Sequence, residues 1–404
     1  MKFLKLIKFI LSNFLYIVIS PLHLFIKKNN VIIFETSSHY RYAGSPKYLY
    51  EYLSANTDYK VYWLTESDEI KKYLSSKKLR YISNENIFNK VYVILQSKIF
   101  VGSGTSFHDP FFLISRDKNI TKICTMHGSG PKLTIPRQYD IKRSLSVIKK
   151  INMFDYVSFC TSYASTVIGV NQMVLSPKRI KLLGAPKNDI LFDKTFVNET
   201  YTNRPFLKSL FGKDFDRESK VVYYVPTFRP FKSKLPIYLI DGFDQKEFVD
   251  FLEKENIYFI YSDHPSSSFE YDLDECSFIK KIESQNDALF DNVELMIEVD
   301  MLMGDYSTLS TDFSILRRPQ LFIMPDYDKV LQTKGFAEDM RVIVPGKIVK
   351  DANDLFKSIS LYISDSIAYE RDFGENVDKL LERYIDISQV NSREKYVEFF
   401  SQIM

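Results

Sequence analysis

From Val31 onward, short runs of consecutive apolar residues alternate with stretches in which apolar positions recur every three or four residues. Unbroken apolar runs suit strands covered on both faces, and the longer periodicity suits helices laid over them. The pattern predicts strands at Val31–Phe34, Val61–Leu64, Lys98–Val101, Ile120–Thr125, Tyr156–Phe159 and Ile180–Leu183, and a second series at Val221–Val225, Ile257–Tyr261, Phe278–Ile282, Asp300–Met303 and Gln320–Met324. Gln245–Glu255 reads as a helix with Phe248, Val249, Phe251 and Leu252 on one face. The tail Asn376–Met404 reads as helix with Leu380, Leu381, Tyr384 and Ile385 on one side. Strands alternating with helices define a doubly wound α/β protein.

The polar stretch Asn198–Arg204 separates the two series and reads as a linker. At 404 residues the chain has room for two cores, because a single core stops growing at roughly 250–300 residues. The expected architecture is α/β, with two Rossmann-like domains at residues 29–200 and 205–375 facing across a cleft, closed by a C-terminal helix at 376–404.

Residues 1–28 differ in kind. Phe9–Ile26 carries no charge and is bracketed by Lys8 and Lys27-Lys28. Lys5, Lys8, Ser12, Tyr16 and Ser20 recur on one side of a helix, leaving Leu, Ile and Phe on the other. This favours an amphipathic membrane-association helix lying in the interface over a spanning helix or a cleaved signal peptide. The 54 basic and 51 acidic residues leave a net charge of +3, too balanced for the concentrated basic face of a nucleic-acid partner. Three widely spaced cysteines suit free thiols better than disulfides or a zinc site.

Five histidines are present, and two follow predicted strands. His127 opens the loop Gly128-Ser129-Gly130-Pro131-Lys132, where glycines let backbone N–H groups approach an anion and the lysine adds a point charge. His264 precedes Pro265 at the end of the Ile257–Tyr261 strand. Each is open to a plainer reading as an ordinary turn. After Asp300–Met303, Gly304-Asp305-Tyr306 forms a turn and Ser307-Thr308 open a helix through Phe313 and Leu316. Such a start supplies donors for phosphate oxygens, although Asp305, Ser307 and Thr308 equally suit local capping. Val225-Pro226-Thr227-Phe228-Arg229 ends another strand, with Arg229 facing either the cleft or solvent. Asp272-Leu273-Asp274 and Asp326-Tyr327-Asp328 match a loose D-x-D pattern, and no Walker A, G-x-G-x-x-G or G-x-S-x-G sequence is present.

In order, these stretches resemble the CDP-glycerol glycerophosphotransferase family, the teichoic acid primases and polymerases. The resemblance rests on the H-G-x-x-x-K loop at His127–Lys132, His264-Pro265, and Asp305-Tyr306-Ser307-Thr308 leading to Asp312-Phe313. Gly44-Ser45-Pro46-Lys47 before Tyr50-Glu51-Tyr52-Leu53, Gly184-Ala185-Pro186-Lys187-Asn188-Asp189, Val225–Arg229, Gly335-Phe336 and Pro345-Gly346 extend it over residues 31 to 350. Gly130, Ser45 and Ser266-Ser267-Ser268 depart from the family's pattern, the last standing where members often place a basic residue.

The resemblance implies a GT-B type fold and transfer of glycerol phosphate from CDP-glycerol to a hydroxyl, with release of CMP. The acceptor would be lipid-linked or polymeric and would bind the first domain; CDP would bind the second. It implies His127 as general base and His264 as a stabiliser of the pyrophosphate. Ser307, Thr308, Lys132, Thr227 and Arg229 are expected on the donor's phosphates, and Asp312 on its ribose. No metal and no cofactor are expected, and the protein would be peripheral at the cytoplasmic face of the bacterial membrane. The competing donors are CDP-ribitol, or a CMP-sugar as in sialyl- and Kdo-transferases; a catalytically dead scaffold of an export complex is the non-enzyme reading.

Overall fold

The structure, a computed structural model, describes residues 2–36, 41–104, 112–216, 218–262, 269–284, 286–387 and 391–404. Strands β1 (Val31–Phe34), β2 (Lys60–Leu64), β3 (Tyr81–Ile82), β4 (Ser97–Gly102), β5 (Thr121–Cys124), β6 (Tyr156–Ser158) and β7 (Ile180–Lys181) form a sheet of order β3-β2-β1-β4-β5-β6-β7. Strands β8 (Lys220–Val225), β9 (Ile257–Tyr261), β10 (Ile279–Lys281), β11 (Met301–Gly304), β12 (Gln320–Phe322) and β13 (Lys347–Ile348) form a second, of order β10-β9-β8-β11-β12-β13. All pairings within these sheets are parallel.

Both faces of each sheet are covered, which is why the strands read as unbroken apolar runs. In β1, Val31 and Ile33 join the core containing Phe100 and Cys124, whereas Ile32 and Phe34 join that of Tyr50, Trp63 and Val101. In β8, Val222 and Tyr224 meet Phe259 and Met303 on one side; Val221 and Tyr223 meet Ile260 and Leu302 on the other. The strand order reverses between β1 and β4 and again between β8 and β11. At such switch points the loops leaving the strands' carboxyl ends diverge and open a crevice for ligands.

Three elements differ from expectation. Residues Lys194–Asn203 form a helix where a linker is expected; only Val197 among them is buried, so a surface helix carries the polarity of a connector. The tail is two helices, Ser366–Tyr384 and Ser392–Ile403, and the second returns to the first sheet. There Tyr396, Phe399 and Phe400 pack with Ile32 and Phe34, and Lys98 Nζ donates to the Met404 carbonyl at 2.7 Å. The edge strands β3 and β13 have two residues each, too few for a period to register.

At the N-terminus, Lys2–Ile19 is helical and Ser20–Leu24 continues as a 3-10 turn. Tyr16 and Ile19 pack against the core. Arg116 donates to Asn13 Oδ1 at 2.7 Å and lies 4.9 Å from the Tyr16 ring centroid. Ile10, Phe14, Ile17 and Val18, spaced along one helix face, are exposed. In this part of the helix Asn13, Tyr16 and Ile19 therefore face the protein, and Ile10, Phe14, Ile17 and Val18 face outward. Among the described residues, no helix is long and apolar enough to cross a membrane.

Candidate active site

A cavity of 620 Å³ opens where the carboxyl ends of the two sheets meet. Its walls come from the loops after both switch points: Thr36 after β1, Ser103 after β4, Thr227 after β8, and Ser307 and Thr308 after β11. His127, following β5, and Ser262, following β9, complete the ring. The stretches containing His127, Thr227 and Ser307-Thr308, distant in sequence, thus reach one space because each ends a strand near the middle of its sheet.

Met126 has a φ of 53°, a left-handed conformation uncommon for a residue with a side chain. That turn carries the chain out of β5 and sets His127 on the cavity wall, open to solvent there. Depth within the protein, and then the ammonium groups of Lys132 and Lys187, push the pKa of His127 down to about 4. Cavity water softens the effect of burial on the ring, but both lysines act in the same direction, so the imidazole is neutral at pH 7. Gly128 and Gly130 let this loop lie against the second sheet's turn. A Cβ on Gly128 would stand 2.8 Å from Thr308 Oγ1, and one on Gly130 3.0 Å from Thr308 Cγ2.

The helix after Thr308 is short, Leu309–Phe313 with a 3-10 turn at Ser314–Leu316. Ser307 Oγ accepts from the Leu309 N–H at 3.2 Å, while Thr308 makes no side-chain cap. The buried Thr227 hydroxyl on the cavity wall has no partner among the described residues, as befits a group open to a ligand or water. Asp305 does not cap the helix. Its carboxylate accepts from the Thr227 N–H at 3.0 and 3.1 Å and from Arg229 Nη1 at 2.8 Å, tying the β8 and β11 turns together.

Of the expected ligand contacts, Arg229 is placed off the cavity wall and Asp312 on it but in an ion pair. Arg229 is 4 % exposed and stands behind the Thr227 turn, off the cavity wall. Its Nε and Nη2 grip Asp326 at 2.6 and 3.0 Å, and its Nη1 also donates to the Thr227 carbonyl at 2.6 Å. It braces the wall rather than facing a ligand. Asp312 does border the cavity, but its carboxylate is held by Lys187 in a buried ion pair. That pair joins the two halves of the chain through one oxygen, Oδ2, of the Asp312 carboxylate. Both D-x-D matches are likewise engaged, Asp326 with Arg229 and Asp272 with Lys281 at 2.6 Å. Lys132 lines the cavity as expected. His264 lies outside the described residues.

Other residues reach the site with little warning from the sequence. Arg41 Nη2 donates to the Ser284 carbonyl at 2.7 Å, and Lys47 pairs with Glu294 at 2.7 Å and Asp291 at 3.6 Å, joining the rims of the two sheets. Lys47 and Lys187 were legible as parts of family-like segments and Asp312 as part of another; no pattern marked Asp291 and Glu294, or the pairing of Lys187 with Asp312. The Asn188 side-chain amide is buried beside the Lys187–Asp312 pair and has no partner among the described residues.

Two parallel α/β sheets with a ligand-sized cavity spanning both switch points define a doubly wound protein whose binding site lies between its sheets. The chain belongs to the CDP-glycerol:poly(glycerophosphate) glycerophosphotransferase family, whose model matches residues 17–400. It is 23% identical to the teichoic acid ribitol-phosphate polymerase TarL of Staphylococcus aureus, over 92% of this chain and 62% of that protein. It is 24% identical to the teichoic acid poly(glycerol phosphate) polymerase of Bacillus subtilis, over 87% of this chain and 46% of that one. The chain thus spans about half to three-fifths of the length of these relatives. The wall teichoic acid polymerase TagF, solved as a histidine-to-asparagine variant soaked with CDPG, shares the fold with a TM-score of 0.72 and 22% identity, over 97% of this chain and 96% of that chain.

Proposed function

We propose that this protein transfers glycerol phosphate from CDP-glycerol to a hydroxyl of a membrane-linked or glycan acceptor, releasing CMP, in the synthesis of a teichoic acid or capsule-type polymer. The observation that carries the reading is the meeting, in one cavity, of a neutral His127 with Ser307, Thr308 and the buried Thr227 hydroxyl. In this reading residues 29–200 hold the acceptor and residues 205–375 the nucleotide, as in a GT-B transferase. A ring nitrogen of His127 takes the proton as the acceptor oxygen attacks the β-phosphorus. The bond from that phosphorus to the bridging oxygen breaks, and its electron pair leaves with CMP. Hydroxyls and backbone N–H groups at Thr227, Ser307 and Thr308 hold the phosphate oxygens, Lys132 supplies positive charge without a metal ion, and His264, two residues past the cavity-lining Ser262, steadies the departing CMP.

The test is CMP release by the purified chain, with the product weighed by mass spectrometry, from CDP-glycerol, CDP-ribitol and CMP-sialic acid in separate reactions. Turnover of CDP-glycerol is expected. Turnover confined to CDP-ribitol would favour the second reading, which similarity to a ribitol-phosphate polymerase supports. Turnover confined to the CMP-sugar would sink phosphotransfer altogether.

We propose a peripheral seat at the cytoplasmic face of the membrane; the exposed face of Ile10, Phe14, Ile17 and Val18 supports the membrane contact, with the apolar side of the first helix in the lipid interface. Co-sedimentation with vesicles containing anionic phospholipid is expected for the wild type and is expected to drop in the double variant Phe14→Glu/Ile17→Glu. Equal sedimentation of the two proteins would remove this helix as the anchor.

A further inference from the structure

Behind the His127 loop lies a second cavity, of 180 Å³, lined by Lys334, Thr134 and Ile168 together with the His127, Lys132 and Thr308 that also border the large one, so that Lys132 stands between the two and Lys334 belongs to the small one. Its far wall exists because loops from the two halves pair through their backbones. The Leu133 N–H donates to the Gly335 carbonyl at 3.2 Å, the Ala337 N–H to Pro131 at 2.7 Å and the Arg137 N–H to Lys334 at 3.0 Å. Gly335 has a φ of +80°, and a Cβ there would stand 2.7 Å from both Leu133 Cδ1 and Arg137 Cγ. The clasp therefore needs glycine at that point, and it sets Lys334 beside Lys132.

The charges near these lysines do not cancel. Asp305 and Arg229 stand behind them, and Arg229 also pairs with Asp326; one guanidinium against two carboxylates leaves a single negative charge facing two ammonium groups. Among the described residues no ion pair holds either lysine, and Lys334 Nζ lies 4.8 Å from the Phe228 ring centroid. Lys334 is 9 % exposed. Burial, and then the charge of Lys132, push its pKa down to about 7, as expected of ammonium groups crowded together without an anion between them.

We propose that Lys132 and Lys334 form an anion subsite that takes a phosphate of the acceptor, a phosphomonoester or phosphodiester carried close to the attacking hydroxyl. The inference rests on the transfer reading above. His127 and Thr308 wall both cavities, so a hydroxyl whose neighbouring phosphate lies on the lysines meets the base from the small cavity while the donor's phosphates approach from the large one. The 180 Å³ available equals about six water volumes of ~30 Å³. That admits a unit the size of glycerol phosphate and falls below the ~300 Å³ at which pockets for larger ligands begin. Lysine suits this task because it meets a phosphate as a point charge and does not require a fixed bidentate geometry.

The probe is sn-glycerol 3-phosphate, its binding followed by 31P line broadening on the full chain saturated with CDP, which occupies both phosphate positions of a cytidine diphosphate donor. Glycerol, followed by its own proton signals, is the phosphate-free control. The wild type is expected to bind the probe alongside CDP and to ignore glycerol. Lys334→Met should weaken probe binding by about tenfold or more, the loss of one charged hydrogen bond, and leave CDP binding unchanged. Lys334→Arg should restore most of it. Displacement of the probe by CDP would assign the lysines to the donor. Wild-type affinity in Lys334→Met, or no binding in the wild type, would also overturn the proposal. Failure to turn over CDP-glycerol would defeat the transfer reading instead, and this binding measurement would be unaffected by it.

Discussion

His127→Ala is expected to lower kcat by about 10²–10⁴-fold, the usual worth of a positioned general base, while CDP-glycerol still binds. The variant removes the proton acceptor on the cavity wall and leaves Thr227, Ser307 and Thr308 in place. The pH dependence carries a second signature. An ordinary histidine titrates near 6.5, whereas depth in the protein, softened by solvent at the cavity wall, and the charges of Lys132 and Lys187 push His127 down toward about 4. A base must be unprotonated, so the acid limb of kcat/KM, which reports the free enzyme, should lie near pH 4 to 5. Bound phosphates offset the lysines' charge and raise the histidine's pKa, so the acid limb of kcat should lie above that of kcat/KM. Full activity in His127→Ala, or a kcat/KM limb at pH 6.5 that survives in the variant, would mean that another group takes the proton.

Arg229→Met should destabilise the fold by about 3–5 kcal/mol, the cost of breaking a buried ion pair and leaving its partners charged. The Arg229 side chain is 1% exposed, those of Asp305 and Asp326 are 0% and 11%, and one guanidinium serves both carboxylates and the Thr227 carbonyl. Arg229→Lys should recover little, because an ammonium lacks the planar fork that reaches all three. Urea unfolding followed by fluorescence reads the loss as a lower midpoint at similar slope. An unchanged midpoint combined with weakened CDP-glycerol binding would return Arg229 to the ligand-contacting role that its place after a strand suggested.

That contrast shows where reading along the chain stops. The Val31–Phe34 and Ile257–Tyr261 strands have the same boundaries in the structure as in the hydrophobic pattern, because a strand covered on both faces has no polar position to blur its ends. The helix Lys194–Asn203 was hidden because a surface helix buries too little to leave a stripe. The tail's periodicity ran through the break between Tyr384 and Ser392, although Asp386 and Asn391 turn the chain there with positive φ. For the site, His127, Thr227, Ser307 and Thr308 were legible because each lies within a few residues of a strand end, and Lys132 because it closes the glycine-rich loop that His127 opens. Loops after central parallel strands must open at the same edge, so their convergence follows from topology.

The one-dimensional pattern was therefore sufficient for the central strands of two parallel sheets and the loops that carry the chemistry, though not for the two-residue edge strands β3 and β13, since period and turn residues are local properties. It was silent on how charge is distributed among those loops. Arg229 with Asp305 and Asp326, Lys187 with Asp312, and Lys334 beside Lys132 are each brought together from distant segments. Whether a buried charge braces the wall or waits for a ligand depends on which opposite charge packs against it, and only the folded chain brings the two together.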